Sequence, residues 1–210
     1  MAQNASVGMT PSGQPIIILK EGTSQTKGRE AQKNNIMAAK VISEIVRSSL
    51  GPRGMDKMLV DSMGDVTITN DGATILKEID VQHPAAKMMV ELSKTADTEV
   101  GDGTTSVVIL AGSLIEKAEE LIEKEVHPTI VVDGYKKAAA QAMKILENIS
   151  IKISPGDKVW LNKVAKTSMA SKLIWRESDL LSSIVTDAVL AVADKDNGKY
   201  KVDIDDIKVE

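Results

Sequence analysis

The 210-residue sequence has no cysteine and no phenylalanine, and holds two tryptophans, two tyrosines and two histidines. Without cysteine there is no disulfide framework, no cysteine-held zinc and no thiol nucleophile. So few aromatic rings do not make a stacking platform for single-stranded nucleic acid. His83 and His127 each stand directly before a proline. That arrangement suits helix entry and speaks against a Ser-His-Asp hydrolase or a histidine-rich metal site. No apolar run approaches the ~18 residues of a membrane-spanning helix. The N-terminal residues Met1 to Pro15 are polar and lack the basic start and apolar stretch of a secretory signal. Lys and Arg number 26 against 30 Asp and Glu, a net charge of −4. Wholesale attraction to nucleic acid or to an anionic membrane is therefore not expected. With neither a secretory signal nor cysteine, a cytoplasmic location is the expectation.

What is present is ordinary for a globular protein: 42% hydrophobic and 27% charged residues. The length suits one or two domains. A core must be built from Ile, Val, Leu, Ala and Met. Residues 1–22 read as a flexible N-terminus with one short strand at Pro15 to Lys20. Helical periodicity begins near Arg29, where Ala38, Val41, Ile42 and Ile45 make an apolar stripe. It stops at Leu50, because Gly51-Pro52-Arg53-Gly54 cannot continue a helix. Lys57 to Asp61 and Val66 to Asn70 read as a hairpin, with Val66 and Ile68 on one face. A short helix follows over Ala73 to Ile79, and another runs from Pro84 to about Val100.

The clearest helix spans Thr104 to Val126, with Val107, Leu110, Ala111, Leu114, Ala118, Leu121 and Ile122 on one face. Val131, Tyr135, Ala138, Ala142, Leu146 and Ile149 mark the next. Ser154-Pro155-Gly156 is the best internal boundary. Two shorter helices, near Asp157–Ala170 and Ser178–Ala193, come after it. Lys199 to Glu210 alternates like a strand with no later partner, so the sequence reads as cut at Glu210.

Three glycine loops lie where elements begin or end: Gly51 to Gly54, Asn70-Asp71-Gly72, and Gly101 to Ser106. The third opens a long helix, so backbone N–H groups and the positive end of the dipole favour an anion there. Gly101 and Gly103 admit a phosphate to the main chain, and Thr104, Thr105 and Ser106 add hydroxyls. Asp102 would repel a bare phosphate, which suggests Mg²⁺ between carboxylate and phosphate. Taken singly, each loop is also a plain turn or helix cap. None matches the ordinary P-loop or the dinucleotide fingerprint.

In order, the loops resemble the signatures of the group II chaperonins. Ser49 to Val60, Val66 to Leu76 and Gly101 to Ser106 are similar to the first, second and third signatures. His83 to Lys87, His127 to Thr129 and Gly13 to Gly22 match further segments. The resemblance implies a mainly α fold. Residues 23–154 would be the first part of a helical equatorial domain that binds ATP or ADP with Mg²⁺. Residues 155–210 would open an α+β intermediate domain. The apical domain and both returning halves are absent, so a chain inactive by itself is expected.

By this likeness Gly51 and Pro52 border the nucleotide, and Gly72 and Thr74 lie beside the phosphates. Gly101, Gly103, Thr104, Thr105 and Ser106 cradle them. Asp102 binds Mg²⁺, Asp71 orders the attacking water, and Lys172 senses the terminal phosphate. The implied partners are further subunits in a double ring and unfolded protein clients. The contrasting expectation is a stand-alone helical binding module that keeps the fold without the ATPase.

Overall fold

The computed structural model describes residues 6–9, 15–18, 25–154, 156–196 and 199–208. The chain divides into two compact units, Met1–Asn34 and Asn35–Glu210. In the first, β1 (Ser6–Met9) pairs antiparallel with β2 (Pro15–Ile18), with Val7 opposite Ile17. β2 is the strand expected at Pro15 to Lys20; residues 19 and 20, like 1–5 and 10–14, lie outside the described residues. β1 has no counterpart among the expectations.

Helix α1 spans Gly28–Arg47, and from Asn35 onward it belongs to the second unit. It buries Ala39, Ile42, Ser43 and Val46. That face is turned about one residue from the expected stripe, and Val41 is half exposed. After Gly51, held at φ +84°, β3 (Lys57–Val60) and β4 (Val66–Thr69) form the expected hairpin, with Met58 opposite Ile68 and Val60 opposite Val66. Asp61 fixes its turn by accepting from the N–H groups of Met63 and Asp65 at 2.8 and 2.9 Å. The apolar residues Met58, Val60, Val66 and Ile68 all lie on the exposed face, and the Lys57, Leu59, Thr67 and Thr69 face is the more buried one.

Helices α2 (Gly72–Glu78), α3 (Pro84–Val100) and α4 (Thr104–Glu123) complete the core with α1. Ile42, Val46, Ile75, Leu76, Met89 and Val108 are its largest apolar members. His83 caps α3 and His127 caps α5 (Pro128–Ile149), each accepting through Nδ1 from the N–H two residues on. Proline at N1 supplies the helical φ and lacks the orphan N–H.

The apolar stripe read on α5 is largely exposed, and the one read on α4 is half-buried at Val107, Ala111, Ala118 and Ile122. α4 buries Thr104, Thr105, Val108 and Gly112, and leaves Leu110, Leu114 and Leu121 open. α5 buries Val131 alone. The reason on α4 is a close helix crossing: a Cβ on Gly112 would stand 2.2–2.3 Å from the Ser43 side chain. Such an approach selects the smallest face over the most apolar one.

Helices α6 (Lys158–Met169) and α7 (Ser178–Ala191) pack on each other, joined by the 3-10 helix Leu173–Glu177. Lys158 bonds Asp187 at 2.8 Å, and Lys166 pairs with Asp179. The strand expected at Lys199 to Glu210 is corrected. β6 is only Lys199–Lys201, and its partner precedes it: β5 (Asp194–Asp196). Beyond β6, Asp203 accepts from the Asp205 N–H at 3.1 Å. That local bond turns the backbone into a 3-10 helix over Ile204–Asp206. Among the described residues no helix is long and apolar enough to cross a membrane.

Candidate functional site

The starts of α2 and α4 meet. Asp71 precedes α2 and is its N-cap, accepting through Oδ2 from the Thr74 N–H and the Thr74 hydroxyl, both at 3.0 Å. Gly72 then lies against α4. A Cβ there would stand 2.6 Å from the Thr105 Oγ1 and 2.8 Å from the Thr105 nitrogen. Only glycine permits that approach. The other oxygen of Asp71, Oδ1, accepts from Lys172 Nζ at 2.8 Å and from the Thr104 hydroxyl at 3.4 Å.

Glycines with positive φ shape the entry to α4. Gly101 ends α3 in the left-handed region at φ +72°, returning its N–H to the carbonyls of Ala96 and Asp97. Gly103 is the α4 N-cap at φ +76° and offers no side chain as a cap. The first N–H groups of a helix have no intrahelical acceptor. Gly103 N–H is itself bonded to Asp102 Oδ1 at 2.7 Å.

A polar hollow results, lined by Ser49, Leu50, Gly51, Asn70, Asp102, Gly103, Thr104, Thr105, Ser106, Ser171 and Lys172. Seven residues singled out in the sequence therefore line one surface: Gly51, Asp102, Gly103, Thr104, Thr105, Ser106 and Lys172. Asp71, Gly72 and Thr74 support it from behind through the contacts above. Gly101 shapes the loop as a helix stop and does not line the hollow. Pro52 is exposed in the turn after α1 and does not line it either.

Ser49, Leu50, Asn70 and Ser171 line the hollow without having been singled out as site residues. Ser49 and Leu50 open the first signature-like stretch, Asn70 lies within the second, and Ser171 is next to Lys172. A contact spanning 101 residues leaves no local signal in the sequence.

The electrostatics are mixed. Burial pushes the Asp71 carboxyl up, but the hydrogen bonds from Lys172 and Thr74 and the Lys172 charge outweigh it, and the group sits below the usual carboxylate range. Asp71 is therefore an anion at neutral pH. Asp102 is exposed and keeps an oxygen beyond the one bonded to Gly103.

Among the described residues no cluster of three or more His, Cys, Asp or Glu could hold a metal ion. One free carboxylate is too little for a cation bound by protein alone. It suits Mg²⁺ that brings phosphate oxygens and water as its other ligands. Hydroxyls, a helix start and a lysine around one such carboxylate are a donor set for a magnesium–polyphosphate.

Comparison with known proteins bears on the same residues. The family model described as the TCP-1/cpn60 chaperonin family matches residues 42–210. Thermosome subunit alpha of Archaeoglobus fulgidus is 57% identical over 201 residues, covering 96% of this chain and 37% of its own length. A thermosome subunit of Desulfurococcus sp. is 55% identical over 95% of this chain and 36% of its own. Thermosome subunit beta of Sulfurisphaera tokodaii is 53% identical over 100% of this chain and 38% of its own. The chain thus spans little more than a third of the length of these relatives. The match embraces the glycine loops, the helix starts they shape and the lysine at 172, and the chain belongs to the TCP-1/cpn60 chaperonin family.

Proposed function

We propose that this chain supplies the phosphate-binding side of a Mg-ATP site in an ATP-dependent protein-folding chaperone. The observation that carries the reading is the convergence of Asp102, the α4 start and Lys172 on one polar hollow. Residues 23–154 act as the first part of the ATP-binding equatorial domain and residues 155–210 as the opening of the intermediate domain. The intact protein, on this reading, is a cytoplasmic ATPase of stacked rings that folds enclosed unfolded proteins.

The roles follow from the chemistry. Gly51 and Gly103 let phosphate oxygens reach the main chain, while Thr104, Thr105 and Ser106 donate to them. Pro52 stiffens the turn beside the nucleotide, and Gly101 sets the angle of the loop. Asp102 would hold Mg²⁺, which when bound neutralises phosphate charge. Asp71, anionic and fixed by Thr74, orients the attacking water. Lys172 balances the terminal phosphate. Gly72 keeps the two helix starts together.

The hairpin bears on assembly. Its apolar face is exposed, and within the described residues each of its strands pairs only with the other. Such an edge is a liability in a free monomer. It suits a neighbouring subunit that adds strands to it.

Titration calorimetry with ATP, in the presence and absence of Mg²⁺, tests the reading. Magnesium-dependent binding is expected, with the magnesium dependence lost in Asp102→Ala. ATP binding that ignores both magnesium and Asp102 would refute the metal role. No binding by the full gene product would favour a helical binding module without the ATPase.

A further inference from the structure

We infer that Asn70 is a positioning residue that pins the Ser171–Lys172 turn to the hollow, so that Lys172 reaches the terminal phosphate of a bound nucleotide. The inference rests on the nucleotide reading above and adds a residue to it.

The Asn70 side-chain amide donates to the main-chain carbonyl of Ser171, 101 residues away. The next residue on each side makes the other tie, from Lys172 Nζ to Asp71 Oδ1 at 2.8 Å. Among the described residues these are the two side-chain hydrogen bonds joining the α6–α7 segment to the body formed by α1 to α5. Both land on consecutive residues at the end of β4, directly before α2.

The two ties differ in kind. Lys172 is a flexible stem with a charged head of three donors, and an arriving phosphate competes with Asp71 for it. The Asn70 bond joins a neutral amide to a backbone carbonyl, so phosphate charge gives it no reason to exchange. It fixes the lysine backbone while the ammonium changes partner. Without it, the lysine turn would keep its own backbone bonds, Lys172 N–H to the Met169 carbonyl and Trp175 N–H to the Lys172 carbonyl, but its side-chain tie to the α1–α5 body would be the exchangeable pair alone. Asn also suits its place, since it follows the last strand residue and leads into the Asp71 cap without a helical demand of its own.

The test titrates Mg-ATP and Mg-ADP into the full gene product, unaltered and carrying Asn70→Ala, Lys172→Ala or both. Asn70→Ala is expected to cut the preference for ATP over ADP about tenfold, the scale of one charge-assisted hydrogen bond. ADP affinity should hold, and Asn70→Ala should add nothing in the Lys172→Ala background. Equal weakening of both nucleotides, or additive effects of the two substitutions, would overturn the inference and leave Asn70 as structural support. Equal affinity of the unaltered protein for ATP and ADP would overturn it as well, while leaving the nucleotide site intact. Failure to bind either nucleotide would remove the nucleotide reading and this inference with it. If Asn70→Ala does not fold, Asn70→Leu keeps the branched shape and the neutral charge and lacks the donor, and the same ratio decides.

Discussion

Asp71 uses both carboxylate oxygens at once, one to start α2 and one to hold Lys172. Its depressed pKa makes that pairing a pH-dependent source of stability. The bound form is the anion, so the stabilisation is fully present above the usual carboxylate value of 3.8. It is lost as pH falls through the lower folded value. Asp71→Asn should therefore lower the urea midpoint near neutral pH, and the gap to the unaltered chain should close in acid below pH 3.8. A gap that stays constant with pH would mean that the Lys172 pairing contributes nothing to stability. The turn at Asn70-Asp71-Gly72 before a short helix was legible; that Asp71 caps this helix emerges from its bond to the Thr74 N–H. Family likeness pointed to Lys172 as a phosphate-sensing lysine; its pairing with Asp71 was not legible, because nothing local links residues 101 positions apart.

At the scale of elements, the order of helices and the central hairpin was legible throughout, since glycine, proline and capping residues punctuate the chain. The expected starts at Pro84 and Thr104 are the observed ones. Which face each helix buries was less legible. The run Val107 to Ala111 is apolar on several sides, so its pattern does not choose an orientation. The choice is made by Gly112 opposite Ser43 on α1. A methyl group at residue 112 would force the two helices apart, and overpacking of this kind costs about 1–3 kcal/mol. Gly112→Ala should lower the unfolding free energy on that scale. Ser43→Gly combined with it should cost less than the sum of the two single changes, as measured by a denaturant double-mutant cycle. Strict additivity would mean that the crossing tolerates the methyl group.

At the scale of the whole molecule, the buried residues concentrate around α1 to α4, while α5 and the outer hairpin face present apolar side chains to solvent. An outward face that carries methionine, valine and isoleucine on paired strands fits an assembly surface better than a free one. Met58 and Ile68 stand opposite each other on it, 67% and 56% exposed. Met58→Lys with Ile68→Lys should change monomer stability by less than about 1 kcal/mol, since both positions are exposed. The same pair should prevent ring assembly of the full gene product, read by native mass spectrometry. Rings that form normally would assign the hairpin no part in assembly.

The bonds from residues 70 and 71 to residues 171 and 172 also set an order of events during synthesis. The segments that build α1 to α4 are synthesised before residue 172 is made. Their contacts are shorter in sequence than this one, and closing the longer loop costs more chain entropy. The hollow therefore begins its existence open on one side, and its lysine arrives last. A nucleotide that needs that lysine is no template for the early helices. It becomes relevant only once translation has passed the second tie.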